Sequence, residues 1–214
     1  MKTTFRKKLS KFVMRRLDPP PSTDFAHTLL LTGQIMVRDK FLPEDQFIEL
    51  QRWAYQTETP YTREDRKWSE VIKRDFGENK ASRQWASNHD DVPPVLQKFI
   101  TALRDAEIVK QNDLIHIGVY RWERLSGMGM HEDSHTDTAI TFYLNDVWNK
   151  NWGGDFVYYE GKQELALGLG RSVTPAANRV VVNHSTIDHK VTYCAITAPD
   201  RVTLQAFVYK GQTH

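Results

Sequence analysis

The chain has 214 residues, of which 40% are hydrophobic and 26% charged, and this suits one globular domain with a sizeable core. Cys194 is the only cysteine, which excludes an intrachain disulfide, and nothing in the cysteine content indicates secretion. The net charge of +2 hides an asymmetry, because residues 1–17 carry seven Lys or Arg and no acid. The rest of the chain is mildly acidic, so it is a poor candidate for binding a nucleic-acid backbone.

Residues 1–18 form a basic N-terminal arm in which apolar residues recur at roughly helical spacing. Two interpretations stay open: a solvated, partly helical arm docked on the domain, or a weak contact with a membrane surface or an acidic partner. No apolar run after the charges is long enough for a secretory signal or a membrane span. We therefore expect a cytoplasmic protein in which residues 19–214 form a single domain.

The first half of this domain has a mainly helical pattern. After the prolines at 19–21, Thr28–Val37 is apolar and β-branched enough for a strand, and Pro43 opens a helix whose first turn is acidic. Further helices are predicted over Arg63–Phe76 and after Pro93-Pro94. Helical support is thus expected over about 40–112.

The pattern changes to short β-rich runs at residue 114. Turn residues separate these runs, which cover 114–122, 138–145, 154–160, 179–184, 188–196 and 200–209. Helices followed by many short strands are typical of an α+β domain in which helices cover one face of an antiparallel sandwich. A jelly-roll core over about 114–209 closes that many strands economically.

His131 and Asp133 are the candidate metal ligands at the start of this core. In extended backbone, a His-x-Asp pair points both side chains to one face. His189, on a later strand, supplies a third ligand. Two imidazoles and one carboxylate that leave the opposite positions open suit non-haem Fe(II) and oxygen chemistry.

A second pair, His135 and Asp137, competes for the same role. Too few residues separate Asp137 from Tyr143 for the turn that must precede the next strand. The spacing from Asp133 is long enough for a hairpin. We therefore favour the first pair and place His135 and Asp137 on a loop beside the metal.

Arg201 is the candidate for binding an anion. It follows His189 on the last strand, and a buried guanidinium there would need an anionic partner that matches its planar fork. Thr203 and Gln205 follow at period two and share its face, and on an earlier strand Tyr143 faces the polar interior. Two glycines after Trp152 allow a sharp return into the next strand.

Over about residues 114–209 the sequence resembles the prolyl-4-hydroxylase-like branch of the Fe(II)/2-oxoglutarate-dependent dioxygenases. The matching pieces occur in the family's order: His131-x-Asp133, Tyr143-Leu144-Asn145, Trp152-Gly153-Gly154, Pro175 with Asn178-Arg179, His189-x-Val191 and Arg201-x-Thr203. The resemblance implies a double-stranded β-helix with supporting N-terminal helices. It also implies Fe(II), 2-oxoglutarate as cosubstrate, and O2.

The resemblance assigns roles to individual residues. Arg201 would bind the distal carboxylate of 2-oxoglutarate, assisted by Tyr143, with Thr203 and Gln205 on the same face. Tyr120 occupies the place of a cosubstrate-binding tyrosine, although a packed core aromatic explains it equally well. The implied reaction couples oxidative decarboxylation of 2-oxoglutarate to succinate with hydroxylation, or a related C–H oxidation, and the carboxylate of Asp133 favours hydroxylation over halogenation.

Two other functions stay open at the level of the sequence. One is a cupin-type jelly-roll metal enzyme that does not use 2-oxoglutarate, and the other is a non-catalytic binding module on the same fold. The predicted substrate is a small molecule or a peptidyl residue. Neither the substrate's identity nor the oligomeric state follows from the sequence.

Overall fold

The computed structural model describes residues 29–32, 35–57, 81–88 and 92–210. The basic arm and the helix predicted over Arg63–Phe76 lie outside these residues. Within them, no helix is long and apolar enough to cross a membrane.

Most of the described strands come after the two longer helices in the chain. In chain order the described elements are β1 (Leu29–Thr32), β2 (Ile35–Arg38), α1 (Glu44–Gln56), β3 (Ala81–Asn88), α2 (Pro94–Asp105), β4 (Leu114–Trp122), β5 (Met128–His131), β6 (Thr138–Tyr143), a 3-10 turn (Lys150–Trp152), β7 (Phe156–Tyr158), α3 (Lys162–Leu167), β8 (Arg171–Val173), β9 (Val180–His184), β10 (His189–Val191) and β11 (Arg201–Tyr209).

The described strands form two antiparallel sheets. The major sheet has the order β1-β2-β9-β6-β11-β4-β3, and the minor sheet has the order β5-β10-β7-β8. From β4 to β11, successive strands alternate between the two sheets except at the β7–β8 pair, and this arrangement closes the sheets into the predicted jelly roll. The strand alternation gives the major sheet one face toward the minor sheet and one face toward the helices.

The main hydrophobic core lies between the helices and the major sheet. Leu50 of α1 and Phe99 of α2 pack in one cluster with Phe142 and Leu204 of the central strands. The prolines at 43 and 93 precede the two helices immediately, as predicted. This core stabilises the outer face of the sheet and leaves its inner face for the interior of the jelly roll.

Several predicted strands have different bounds in the structure. The strand expected over Thr28–Val37 is a hairpin of β1 and β2, and the runs at 154–160 and 188–196 are strands only over Phe156–Tyr158 and His189–Val191. Beyond Val191 the run continues only as an isolated bridge between Gly153 and Cys194, and a turn begins at Ile196. The sequence pattern missed β3, β8 and the short helix α3, because each is brief or lacks apolar alternation.

Candidate functional site

Two neighbouring strands of the minor sheet bring the predicted histidines together. In the β5–β10 pair, His131 lies directly opposite His189, and their ring centroids are 4.2 Å apart. Directly opposed side chains on one face of an antiparallel pair are the closest that a sheet offers. Although His189 lies 56 positions after Asp133 in the sequence, the ligands are therefore close together in space.

Asp133 completes this group from a loop. The strand β5 ends at His131, so the prediction that both residues of the His-x-Asp pair lie in the strand is wrong in detail. Asp133 lies two residues further, where its backbone carbonyl accepts bonds from Thr136 and fixes a turn. Its Oδ1 lies 3.9 Å from Nε2 of His131, and its Oδ2 lies 3.5 Å from Nε2 of His189.

Backbone carbonyls orient both imidazoles. Nδ1 of His131 lies 2.7 Å from the carbonyl of Gly129, and Nδ1 of His189 lies 2.8 Å from that of Ile187. A bond at Nδ1 directs the other nitrogen, Nε2, toward the shared centre. Burial, and next the neighbouring His131, lower the pKa of His189 to about 4, so the ring is neutral near pH 7 and has a free lone pair.

The three ligand atoms lie within 4.8 Å of one another and can hold one metal ion. His189 also stacks on Phe156 of the next strand, with ring centroids 5.0 Å apart.

The competing pair has a structural role. Asp137 binds the end of β11 through its carboxylate, which accepts from the backbone N–H of Lys210 at 2.7 Å. His135 is exposed and packs its ring 5.9 Å from that of Phe207. Both lie on the loop before β6, as the sequence predicted, and neither faces the other ligands.

A cavity that is open to solvent adjoins the three ligands. Its wall on the major sheet includes Thr141 and Gln205, and at one end it reaches Trp122. The complete lining is Trp122, Met128, His131, Asp133, Ala139, Ile140, Thr141, Phe156, Asn183, His189, Val191, Gln205 and Phe207.

Arg201 lies beyond the Trp122 end of this cavity. Its side chain is 1% exposed, and its guanidinium carbon lies 4.9 Å from the centroid of the Trp122 ring and 6.0 Å from that of Tyr143. Nη1 donates to the carbonyl of Gly154 at 3.2 Å, but Nε and Nη2 have no hydrogen-bond partner. No carboxylate of the described residues pairs with this charge.

The paired glycines allow this burial. Gly153 and Gly154 have φ of +66° and +69°, a backbone conformation that residues with a side chain rarely adopt. A Cβ on Gly154 would lie 3.1 Å from Cδ of Arg201 and 3.2 Å from Sγ of Cys194. The sharp return predicted at this point is therefore also the place where the backbone makes room for the arginine, and Cys194 is buried beside it.

The other predicted site residues face the same interior. Thr203 and Gln205 alternate with Arg201 along β11, and Thr203 lies between Tyr143 and Tyr120 on the adjacent strands. All are at least nine-tenths buried. The Thr203 hydroxyl has no hydrogen-bond partner, and burial raises the pKa of Tyr143 even though the Arg201 charge opposes this.

Sequence reasoning missed three residues of the interior. Trp122, the last residue of β4, is fully buried between Arg201 and the cavity. Phe156, which stacks on a ligand, and Asn183, which lines the cavity, were not singled out. Strand alternation could have placed Asn183 on the inner face once the register of β9 was known.

Comparisons with known proteins agree with this geometry. The sequence model of the 2OG-Fe(II) oxygenase superfamily matches residues 115–209, which hold all of the residues above. No curated protein sequence matches the chain significantly.

Solved structures share the fold at low sequence identity. A prolyl-4-hydroxylase from Pseudomonas putida is 16% identical, with a TM-score of 0.60 over 84% of this chain and 94% of that one. A prolyl hydroxylase from Trichoplax adhaerens, in complex with a peptide fragment of hypoxia inducible factor, is 14% identical, with a TM-score of 0.59 over 83% and 84% of the two chains. HygX from Streptomyces hygroscopicus, with nickel and 2-oxoglutarate bound, is 13% identical, with a TM-score of 0.55 over 86% and 88%.

Residues 115–209 therefore match the sequence model of the 2OG-Fe(II) oxygenase superfamily, and the solved structures share its fold. This confirms the predicted jelly-roll fold and the dioxygenase class, together with Fe(II), 2-oxoglutarate and O2 as its cofactors.

Proposed function

We propose that this oxygenase holds iron with His131, Asp133 and His189, anchors 2-oxoglutarate with Arg201, and hydroxylates a small molecule or a peptidyl residue. The residues present suit the metal. Both histidines direct Nε2 toward Asp133, and two imidazoles with one carboxylate on one side leave the remaining positions open. The depressed pKa of His189 keeps its nitrogen available near neutral pH.

The buried arginine is the observation that carries the proposal. Desolvating a guanidinium without a partner is expensive, so proteins retain such a group where a ligand supplies the missing charge. Two N–H-bearing nitrogens of Arg201 are free, and the planar fork fits a carboxylate in bidentate fashion. Gly154 and Trp122 fix the remaining sides of the group.

The neighbours of Arg201 complete an anion site. Because its pKa is raised, Tyr143 stays protonated at neutral pH and can donate to a carboxylate oxygen. Thr203 can donate its unpartnered hydroxyl to the same group, and Tyr120, paired with it across the strands, shares the wall. Trp122 lines the cavity and also contacts Arg201, so it lies between the metal ligands and the anion site.

When bound, Fe(II) and 2-oxoglutarate supply the oxidation of a C–H bond by O2, which releases succinate and carbon dioxide. The chain orients these groups. His131 and His189 are held by backbone bonds, Arg201 fixes the far end of the cosubstrate, and Phe156 and Met128 keep water from the ligands. No side chain needs to act as a general acid or base.

A small molecule and a peptidyl residue can both approach the metal ligands, because the cavity beside them is open to solvent. The peptide complex of the Trichoplax enzyme supports the second of these for a protein of this fold. We further propose that residues 19–214 act as one catalytic domain.

Succinate release from 2-oxoglutarate, with and without Fe(II) and across a substrate panel, tests the proposal. We expect iron-dependent release that His131→Ala abolishes together with metal binding. His135→Ala is the matched control, since His135 lies two residues beyond Asp133 but faces the solvent. Full iron-dependent turnover in His131→Ala would show that the ligands are assigned wrongly.

The two other functions make different predictions. A cupin-type enzyme would consume oxygen without 2-oxoglutarate, and a binding module would neither bind Fe(II) nor produce succinate. The unpartnered guanidinium of Arg201 argues against the first, and the convergent ligand atoms argue against the second.

A further inference from the structure

Two amide side chains on the wall of the cavity have no hydrogen-bond partner. Asn183 is 2% exposed and Gln205 is 8% exposed, and both line the cavity beside the iron ligands. Nδ2 of Asn183 and Oε1 of Gln205 are buried without partners, and neither side chain makes a hydrogen bond to any described residue.

Such groups are uncommon in a folded protein. Most buried polar atoms are paired, because an unpaired one loses its bonds to water and gains nothing in return. Two unpaired amides on one wall therefore indicate a ligand that supplies the missing bonds. The wall lies opposite the ligands on the minor sheet, so its occupant would lie next to the metal.

The strand register shows how one ligand could contact both amides. Asn183 pairs with Ala139, which pairs with Phe207, and Gln205 pairs with Thr141 in the adjacent row. Two residues of β6 that line the cavity thus lie between the amides: Thr141 beside Gln205, and Ala139, with only a methyl group, beside Asn183. Because the alanine side chain is small, it leaves room for a ligand between the two amides.

The position along β11 separates these amides from the cosubstrate. Asn183 lies in the row of Phe207, six residues from Arg201, which is about 20 Å along an antiparallel strand. Gln205 lies four residues from Arg201, or about 14 Å. A five-carbon diacid is only about 7 Å long, comparable with two extended residues, so 2-oxoglutarate held at Arg201 does not extend to the Asn183 row.

The charge of the cavity restricts what can bind there. Asp133 is the one acidic residue of the cavity lining, and the lining contains no Lys or Arg. The carboxylate of Asp133 would bind the proposed metal. A substrate carboxylate beside Ala139 would have no cation from the lining to neutralise it. A neutral amide instead offers both an N–H donor and a carbonyl acceptor, which an Asn and a Gln side chain can match.

We propose that Asn183 and Gln205 bind a neutral amide group of the substrate and so position the neighbouring carbon at the metal. The inference rests on the proposed function and extends it to the substrate class. It moves Gln205 from the cosubstrate, where the sequence placed it, to the substrate. A peptide bond and the carboxamide of a small molecule share this chemistry.

The experiment uses the full chain with Fe(II), 2-oxoglutarate and matched probes. The first arm is a set of N-acetyl amino-acid N-methylamides with apolar side chains, and the second arm is the corresponding free amino acids. A third arm of simple primary carboxamides separates a small-molecule amide from a peptide group. We expect members of the first or third arm to stimulate succinate release, whereas the free amino acids do not.

Variants then test the two side chains. Asn183→Leu and Gln205→Met should each raise the KM for the stimulating amide about 3- to 10-fold, the effect of one lost hydrogen bond. The KM for 2-oxoglutarate should change less than twofold. Asn112→Leu is the matched control, because Asn112 is exposed and does not line the cavity.

A metal-free measurement separates a binding role from a structural one. Because the Asn183 side chain makes no hydrogen bond, the melting temperature of Asn183→Leu without metal should equal or exceed that of the wild type. A lower melting temperature would indicate that the amide supports the fold, and it would overturn the inference.

Two further outcomes would contradict the proposal that Asn183 and Gln205 bind an amide of the substrate. Stimulation by the free amino acids alone, or by no amide, would exclude the neutral amide. An unchanged KM in both variants would exclude the two side chains. The proposed function is tested independently by titrating 2-oxoglutarate into the Fe(II)-loaded protein without oxygen, so its failure has a separate signature.

Discussion

The side chains on the two faces of the major sheet differ: those on one face are apolar and packed, and those on the other face include polar atoms without hydrogen-bond partners. On β11, Val202, Leu204 and Ala206 face the helices and belong to a continuous apolar core. Arg201, Thr203 and Gln205 alternate with them, face the minor sheet, and hold polar atoms without partners. One strand thus stabilises the fold with one set of residues and carries the site with the other.

This difference between the faces explains why stability of the fold and binding of ligands can be changed separately. Apolar burial on the outer face is favourable without any ligand. The inner face holds a buried charge and several unpaired groups, which cost stability until metal, cosubstrate and substrate bind. We therefore expect outer-face substitutions to affect unfolding and inner-face substitutions to affect binding.

Removal of the carboxylate ligand should have the largest effect. Asp133→Ala leaves two imidazoles to hold the ion, so we expect turnover to fall by more than about 100-fold, beyond the usual effect of a residue that only orients a ligand. Iron binding and succinate release measure the loss. Asp137→Ala, the matched control, removes a bond to Lys210 and should keep metal binding; equal losses in the two variants would contradict the assignment.

On the outer face, Leu204→Ala should destabilise the protein by about 2–5 kcal/mol, because the leucine is fully buried in the core. Denaturant unfolding measures this change. The KM for 2-oxoglutarate of the folded fraction should stay within twofold of the wild type.

Its neighbour Thr203 provides the opposite case. Thr203→Val keeps the shape and removes an unpartnered hydroxyl, so the free energy of unfolding should stay the same or rise. The KM for 2-oxoglutarate should increase a few-fold. If Leu204→Ala weakens binding and Thr203→Val weakens the fold, the division between the faces is wrong.

A comparable effect on binding is expected for Tyr143, on the same inner face. Burial raises its pKa above the ordinary value of 10, so the hydroxyl remains protonated from pH 7 to pH 9 and can donate throughout. Tyr143→Phe should raise the KM for 2-oxoglutarate about 3- to 10-fold, equally at each pH. A ratio of mutant to wild-type KM that declines toward pH 9 would mean that the tyrosine loses its proton in this range.

Strand alternation made much of this site predictable. It placed Thr203 and Gln205 on the face of Arg201, and Tyr143 on the inner side of β6. The hydrophobic spacing after the prolines at 43 and 93 likewise predicted α1 and α2. These features depend on local periodicity, which a sequence shows directly.

Other features depend on contacts between distant residues. The strand β5 is too short to show a period, so Asp133 appeared to lie in a strand that in fact ends at His131. Asn183 gained its importance only from the register of β9 with β6, and Trp122 only from its contact with Arg201. Such pairings are set by tertiary packing.

The most direct test of the central claim is the affinity of the Fe(II)-loaded protein for 2-oxoglutarate, measured without oxygen for the wild type and Arg201→Lys. Lysine keeps the charge but loses the fork that matches a carboxylate. We predict that the Kd rises about 10- to 100-fold, as for the loss of a charge-assisted bond, with iron binding retained. An unchanged Kd would show that Arg201 does not hold the cosubstrate.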